Sequence, residues 1–175
     1  MVIAALMLLL LPLKWLIAAL FAAAFHEFCH WVMICLCRGR VTGLRIGTYG
    51  AVMHVEDLPP HKEFLCALAG PLGGFCLLFL AKWIPRTAFC AFVQSAYNLL
   101  PLFPLDGGRI LKCFLQFFVQ DRSAEKVCNI VSTYFRVILC LLSIWVAFIW
   151  KLGLLPLVFA ALLNIRIKNR KTLAN

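Results

Sequence analysis

Positions 22–32 read Ala22-Ala23-Ala24-Phe25-His26-Glu27-Phe28-Cys29-His30-Trp31-Val32, an H-E-x-x-H motif inside an apolar run. On a helix, residues four apart such as His26 and His30 lie one above the other on one face. This spacing lets both imidazoles reach one tetrahedral Zn²⁺, and Glu27 beside them can act as a base on water. Ionisable groups inside a membrane span cost about 2.5 kcal/mol or more each and are usually functional. The motif therefore predicts a metal site rather than a chance occurrence.

The composition is that of a membrane protein. Of the 175 residues, 64% are hydrophobic and only 14% are charged, and the mean hydropathy is +0.96. A span needs about 20 apolar residues. The apolar segments that qualify, the first and last of them marginal in length, are residues 2–13, 15–37, 64–84, 87–102, 127–150 and 152–167. The sequence predicts an all-α polytopic membrane protein with about six transmembrane helices. We expect the chain to form one integral-membrane domain over residues 1–175, with a core at 15–119 and additional C-terminal spans at 120–175.

The charge distribution indicates a membrane topology rather than a nucleic-acid partner. The net charge is +10, but the basic residues are scattered at the predicted span ends. With both termini in the cytosol, twelve basic residues fall in cytosolic segments and four in outer segments, as the positive-inside rule expects. Arg136 is assigned to neither side. Most of the nine cysteines lie in apolar segments, where we expect reduced, buried thiols.

Residues 41–55 differ from the rest of the chain. Gly43, Gly47 and Gly50 alternate with aliphatic and β-branched residues, which favours strands separated by a turn. The segment predicts a small β-hairpin at the membrane surface, with a plain surface loop as the alternative. His54, in the same segment, is expected to be a surface residue rather than a fourth ligand.

A catalytic zinc site needs a third protein ligand, and Asp106 is the strongest candidate. Three protein ligands plus water are usual. Of the seven acidic residues, only Glu27 and Asp106 lie in or against predicted spans. Asp106 follows two prolines and precedes Gly107-Gly108, so its backbone is expected to be irregular, as is tolerated where a cavity is lined. The alternatives are an N-cap on a helix that begins near Gly107 and an ion pair with Arg109.

These elements together resemble the site-2 protease family of intramembrane zinc metalloproteases. The resemblance rests on the H-E-x-x-H, on Ala69-Gly70-Pro71 and above all on Asn-Leu-Leu-Pro-Leu-Phe-Pro-Leu-Asp-Gly-Gly at residues 98–108, and it extends over residues 15–118. It implies His26, His30 and Asp106 as ligands of one Zn²⁺ per chain. It also implies Glu27 as the catalytic base and Asn98 as a residue that holds the substrate.

Two departures from the family pattern stand out. Many members have glycine where this chain has Cys29, which is a minor change. Several sporulation members carry a C-terminal cytosolic regulatory domain, whereas this sequence ends at Asn175, so no such domain is expected.

The resemblance implies a zinc metalloendopeptidase of the bacterial cell membrane that cleaves a membrane-associated protein substrate near the cytosolic face. A sporulation sigma-factor precursor is the substrate it favours, and membrane-embedded inhibitor proteins are further candidate partners beside the lipid bilayer. One alternative is a transporter or ion-path protein that uses the buried histidines, Glu27 and Asp106. The small size and the lack of an inverted repeat argue against it. The other is a non-catalytic membrane protein on the same fold.

Overall fold

The computed structural model describes residues 12–39, 41–47, 50–55, 58–103 and 105–150. The chain divides into two compact units, residues 1–100 and 101–175. In chain order the elements are α1 (Leu13–Leu36), β1 (Val41–Gly47), β2 (Gly50–Val55), α2 (Pro60–Cys76), a 3-10 turn (Leu77–Leu80), α3 (Pro85–Asn98), α4 (Asp106–Gln116) and α5 (Asp121–Trp150). The assignment of residues 1–175 to a single domain stays a prediction.

The first unit is organised around one buried stripe on α1. Its buried residues are spaced every four positions: Ala18, Ala22, His26, His30 and Ile34. Because residues four apart share a helix face, this stripe is continuous, and α1 packs against both α2 and α3. The alanines keep the stripe narrow, and the two histidines are its only polar members.

Small residues bring α2 and α3 close to α1. The buried face of α2 consists of Cys66, Ala67, Gly70, Pro71 and Gly74. An apolar cluster of Ala22, Leu77 and Ala91 joins α1, the 3-10 turn after α2, and α3. Close packing of small residues is how helices associate where the hydrophobic effect offers little driving force between them.

The second unit contains α4 and α5, which pack against each other. Its buried residues are Leu102 and Leu105 before α4, Cys113 on α4, and Ala124 and Cys128 on α5. The segment that precedes α4 is non-helical, as the prolines predicted.

Two segments are long and apolar enough to cross a membrane within the described residues: Leu13–Leu36, with 24 residues, and Pro60–Leu80, with 21. They correspond to the predicted spans at 15–37 and 64–84. Helix α3 has 14 residues, about 21 Å at 1.5 Å per residue, which is shorter than a hydrocarbon core of about 30 Å. The predicted segments at 2–13 and 152–167 lie almost wholly outside the described residues, so six spans stay a prediction.

Two antiparallel strands, β1 and β2, follow α1. Gly47 pairs with Gly50 at the closed end, and the register is irregular between Val41 and Gly43. Glycine at these points suits a tight connection and a bulge. The location of these strands at the membrane surface stays a prediction.

All nine cysteines lie within the described residues and are free thiols. The prediction of buried thiols is confirmed for Cys66, Cys113 and Cys128, whereas Cys35 and Cys76 are exposed.

Candidate metal centre

Helix α1 places two imidazoles side by side in a buried position. His26 is 1% exposed and His30 is 8% exposed. Their rings meet edge to face, with centroids 4.8 Å apart, and their Nε2 atoms are 3.2 Å apart. Two Zn–N bonds of 2.0–2.1 Å at a tetrahedral angle put the nitrogens about 3.4 Å apart. The spacing of the two Nε2 atoms therefore fits shared binding of one ion.

The backbone of α2 determines the proton position on His30. Its Nδ1 lies 2.7 Å from the carbonyl oxygen of Cys66. A carbonyl only accepts hydrogen bonds, so Nδ1 carries the hydrogen and donates it. In the neutral ring, Nε2 is then left with a lone pair. Histidines that bind metals almost always donate the other ring N–H in this way, which fixes ring orientation and tautomer.

Asn98, the last residue of α3, contacts the other histidine. Its amide Nδ2 lies 3.2 Å from Nε2 of His26. The amide NH₂ only donates, so Nε2 of His26 also presents a lone pair. Each Nε2 atom therefore carries the free lone pair of its ring, and the two atoms are 3.2 Å apart. The chemistry of these donors therefore fits a divalent metal.

Gly70 leaves the space in which the two Nε2 atoms meet. A Cβ at this position would lie 2.8 Å from Nε2 of His26 and 2.6 Å from Cε1 of His30, and it would overlap Nε2 of His30. Any side chain at residue 70 would displace the imidazoles. Sequence reasoning associated the Ala-Gly-Pro segment with the family but not with the imidazoles. The small residues of this segment, which permit close approach of another helix, are the signal that could have indicated it.

Glu27 is the next residue on α1 after His26 and is partly buried. It lies one position round the helix from the buried stripe, so it borders the histidine pair, as the H-E-x-x-H pattern predicts. Its role as a base stays a prediction.

Asp106 is the first residue of α4, in the second unit, and is partly buried. The preceding residue, Leu105, is the N-cap, and its carbonyl accepts hydrogen bonds from the N–H groups of Gly108 and Arg109 at 3.1 and 3.3 Å. The alternative of Asp106 as the N-cap of this helix is therefore wrong. As a first-turn acid it still complements the helix dipole.

The three predicted ligands are two histidines of the first unit and one aspartate of the second. His26 and His30 each offer an imidazole nitrogen and Asp106 offers a carboxylate oxygen, and zinc accepts both kinds of donor. In the first unit the structure brings together His26, His30 and Asn98. The ligand role of each residue stays a prediction.

Comparison with known proteins gives three matches. The sequence model of Peptidase family M50 matches residues 80–142, which include Asn98 and Asp106. Stage IV sporulation protein FB of Bacillus subtilis (strain 168) is 28% identical over 162 residues, which cover 85% of this chain and 55% of that protein. The chain thus spans about half the length of this curated relative. A site-2 protease from Methanocaldococcus jannaschii has the same fold, with a TM-score of 0.71 and 18% identity over 96% of this chain and 83% of the other.

These matches do not favour the transporter alternative, because the family and the solved structure are both those of proteases. The same similarity is indicated by three features: the H-E-x-x-H helix, residues 98–108 and the shared fold. Residues 80–142 thus resemble Peptidase family M50, and the chain as a whole is similar to stage IV sporulation protein FB and shares the fold of a site-2 protease.

Proposed function

We propose that this protein is an intramembrane zinc metalloendopeptidase that hydrolyses a membrane-associated protein substrate near the cytosolic face of a bacterial cell membrane. The pair of Nε2 atoms 3.2 Å apart, buried in a helix apolar enough to cross a membrane, supports this most directly. Buried ionisable groups in such a helix are costly and mark function. The similarity of residues 80–142 to Peptidase family M50 suggests the reaction class.

His26, His30 and Asp106 would hold one Zn²⁺ per chain. When bound, the metal acts as a Lewis acid that makes water acidic enough to attack near neutral pH. The carbonyl of Cys66 holds His30 in the tautomer that leaves Nε2 available. Gly70 keeps the space around both nitrogens clear.

Glu27 is the proton carrier. Its carboxylate accepts a proton from the attacking water and then delivers that proton to the leaving amine nitrogen. A partly buried position suits this exchange, because the carboxylate must meet water while it borders the histidines.

The substrate must be extended where it is cut, because a helix keeps its carbonyls in internal hydrogen bonds. Strands β1 and β2 form a two-stranded sheet in the described chain. An open strand edge could hold the substrate as an added strand. The resemblance favours a sporulation sigma-factor precursor as substrate and a topology with both termini in the cytosol. A membrane-embedded inhibitor stays a prediction from the same resemblance.

The function is tested with the purified full chain in proteoliposomes and a sigma-factor precursor as substrate. We expect a defined product by mass spectrometry, loss of cleavage after zinc removal and recovery when zinc is returned. Cleavage that is indifferent to zinc removal would overturn the proposal. Ion flux across the vesicles without any cleavage would support the transporter alternative instead.

Asp106→Asn should lose most of its zinc at a chelator concentration at which the unaltered chain retains it. The amide keeps the size of the side chain but is a much poorer ligand for a divalent ion than a carboxylate. Zinc content per chain, measured by elemental analysis, checks this. Asp121→Asn is the matched control, since Asp121 also opens a helix, α5, and is exposed. Unchanged zinc content and activity in Asp106→Asn would leave Asp106 with a helix-stabilising role alone.

Asn98→Ala should keep its zinc and cleave more slowly, by about 10²-fold if the amide holds the polarised substrate carbonyl. The reason is that the lone pair on Nε2 of His26, 3.2 Å from the amide, cannot serve the amide and a metal at once. Metal binding therefore releases the amide for the substrate. Zinc content, kcat and KM are measured against Gln94→Ala, one turn earlier on α3. If Asn98→Ala lost zinc, and the molecules that still held zinc cleaved at the normal rate, a substrate-holding role for Asn98 would be contradicted.

A further inference from the structure

Ser132 on α5 is a buried polar residue that the predicted site does not use. It is 3% exposed, and with the buried residues Ala124 and Cys128 it forms a stripe spaced every four positions along α5. A hydroxyl in such a stripe needs hydrogen-bond partners to offset its burial.

Both partners of Ser132 belong to the backbone of the segment before α4. Its Oγ donates to the carbonyl of Pro101 at 3.2 Å and accepts from the N–H of Phe103 at 3.3 Å. One hydroxyl thus provides hydrogen-bond partners for a backbone carbonyl and a backbone N–H that both lie outside any helix. Irregular backbone that is buried in protein needs protein groups to satisfy its hydrogen bonds, and Ser132 is such a group.

The same segment is held from the other side by α4. A Cβ at Gly108 would lie 2.7 Å from the carbonyl carbon and oxygen of Leu102 and 2.9 Å from the nitrogen of Phe103. The peptide between Leu102 and Phe103 therefore lies against Gly108, while its own N–H and the carbonyl of Pro101 bond to Ser132. Leu102 itself is 2% exposed.

This clamped segment leads directly into Asp106. The N–H of Leu105 donates to the carbonyl of Leu102 at 2.7 Å, and the carbonyl of Leu105 accepts the first hydrogen bonds of α4. A shift at residues 101–103 is thus transmitted through one turn to the first residue of α4.

We propose that Ser132 is a positioning residue for the Asp106 carboxylate, acting through its two hydrogen bonds to residues 101 and 103. The inference rests on the proposed function, because it takes Asp106 to be a metal ligand. Groups that orient a ligand typically change metal affinity by about 10- to 100-fold when removed.

The experiment measures zinc affinity of the purified full chain by chelator competition, for Ser132→Ala, Asp106→Asn and the double variant. Ser132→Ala should weaken zinc binding at least about 10-fold and should add little in the Asp106→Asn background. In the metal-free state, backbone N–H groups within residues 101–109 should exchange faster in Ser132→Ala than in the unaltered chain. Thr133→Ala is the control, since its hydroxyl is exposed and bonds within α5 to the carbonyl of Asn129 at 2.8 Å.

Ser132→Thr retains the hydroxyl and should restore zinc affinity, whereas Ser132→Cys retains the volume with a weaker hydrogen bond and should not. These two variants keep the test decisive if Ser132→Ala does not fold. Normal zinc affinity in Ser132→Cys, with Asp106→Asn defective, would overturn the positioning role and leave the proposed function standing. Normal affinity in Asp106→Asn would instead overturn the ligand set on which both depend.

Discussion

Glu27→Gln is expected to abolish detectable cleavage while leaving zinc bound. The amide has nearly the shape of the carboxylate but cannot accept a proton from water, and general acid–base catalysis contributes about 10²- to 10⁴-fold to rate. Glu27 is beside the histidine pair on α1 but is outside the predicted ligand set, so metal content should not change. Product formation on a co-expressed substrate and zinc content of the same preparation are the two measurements.

Glu125→Gln is the matched control for this variant, because Glu125 is an exposed carboxylate on α5. We expect it to cleave normally. Full cleavage by Glu27→Gln with zinc bound would remove Glu27 from the mechanism. Loss of zinc together with activity would give it a role in metal binding instead.

Gly70→Ala is expected to empty the metal centre. The added methyl would overlap Nε2 of His30 and lie 2.8 Å from Nε2 of His26, and both rings are buried. Alanine is the better helix former by about 1 kcal/mol, so a defect would not come from weaker helix propensity in α2. Zinc content and the Tm of the purified chain should both fall.

A double variant separates a clash with the imidazole from a general packing defect. In His30→Ala, the nearer of the two rings that the methyl meets is gone, so adding Gly70→Ala should lower the Tm less than it does in the unaltered chain. Non-additivity of this kind is the mark of residues in direct contact. Zinc affinity equal to that of the unaltered chain in Gly70→Ala would show that residue 70 does not border the metal.

Local features of the sequence predicted much of the first unit. The four-residue spacing of His26 and His30 required a shared helix face, and the predicted span at 15–37 agrees with α1 at Leu13–Leu36 to within two residues. The prolines before Asp106 predicted a non-helical segment there. The helix predicted to begin near Gly107 begins one residue earlier, at Asp106, so that Leu105 rather than Asp106 is its N-cap.

The helix face shared by the histidines, the apolar length of α1 and the presence of Glu27 beside the pair were determined by the sequence alone, because each depends on residues within one or two helical turns. The tertiary structure decided the rest. The carbonyl of Cys66 is 36 residues from His30, and the backbone oxygen of Pro101 is 31 residues from Ser132. Backbone groups have no residue-specific signature, and the space at Gly70 exists only once α2 lies against α1. Contacts of this kind follow from packing, which no local spacing encodes.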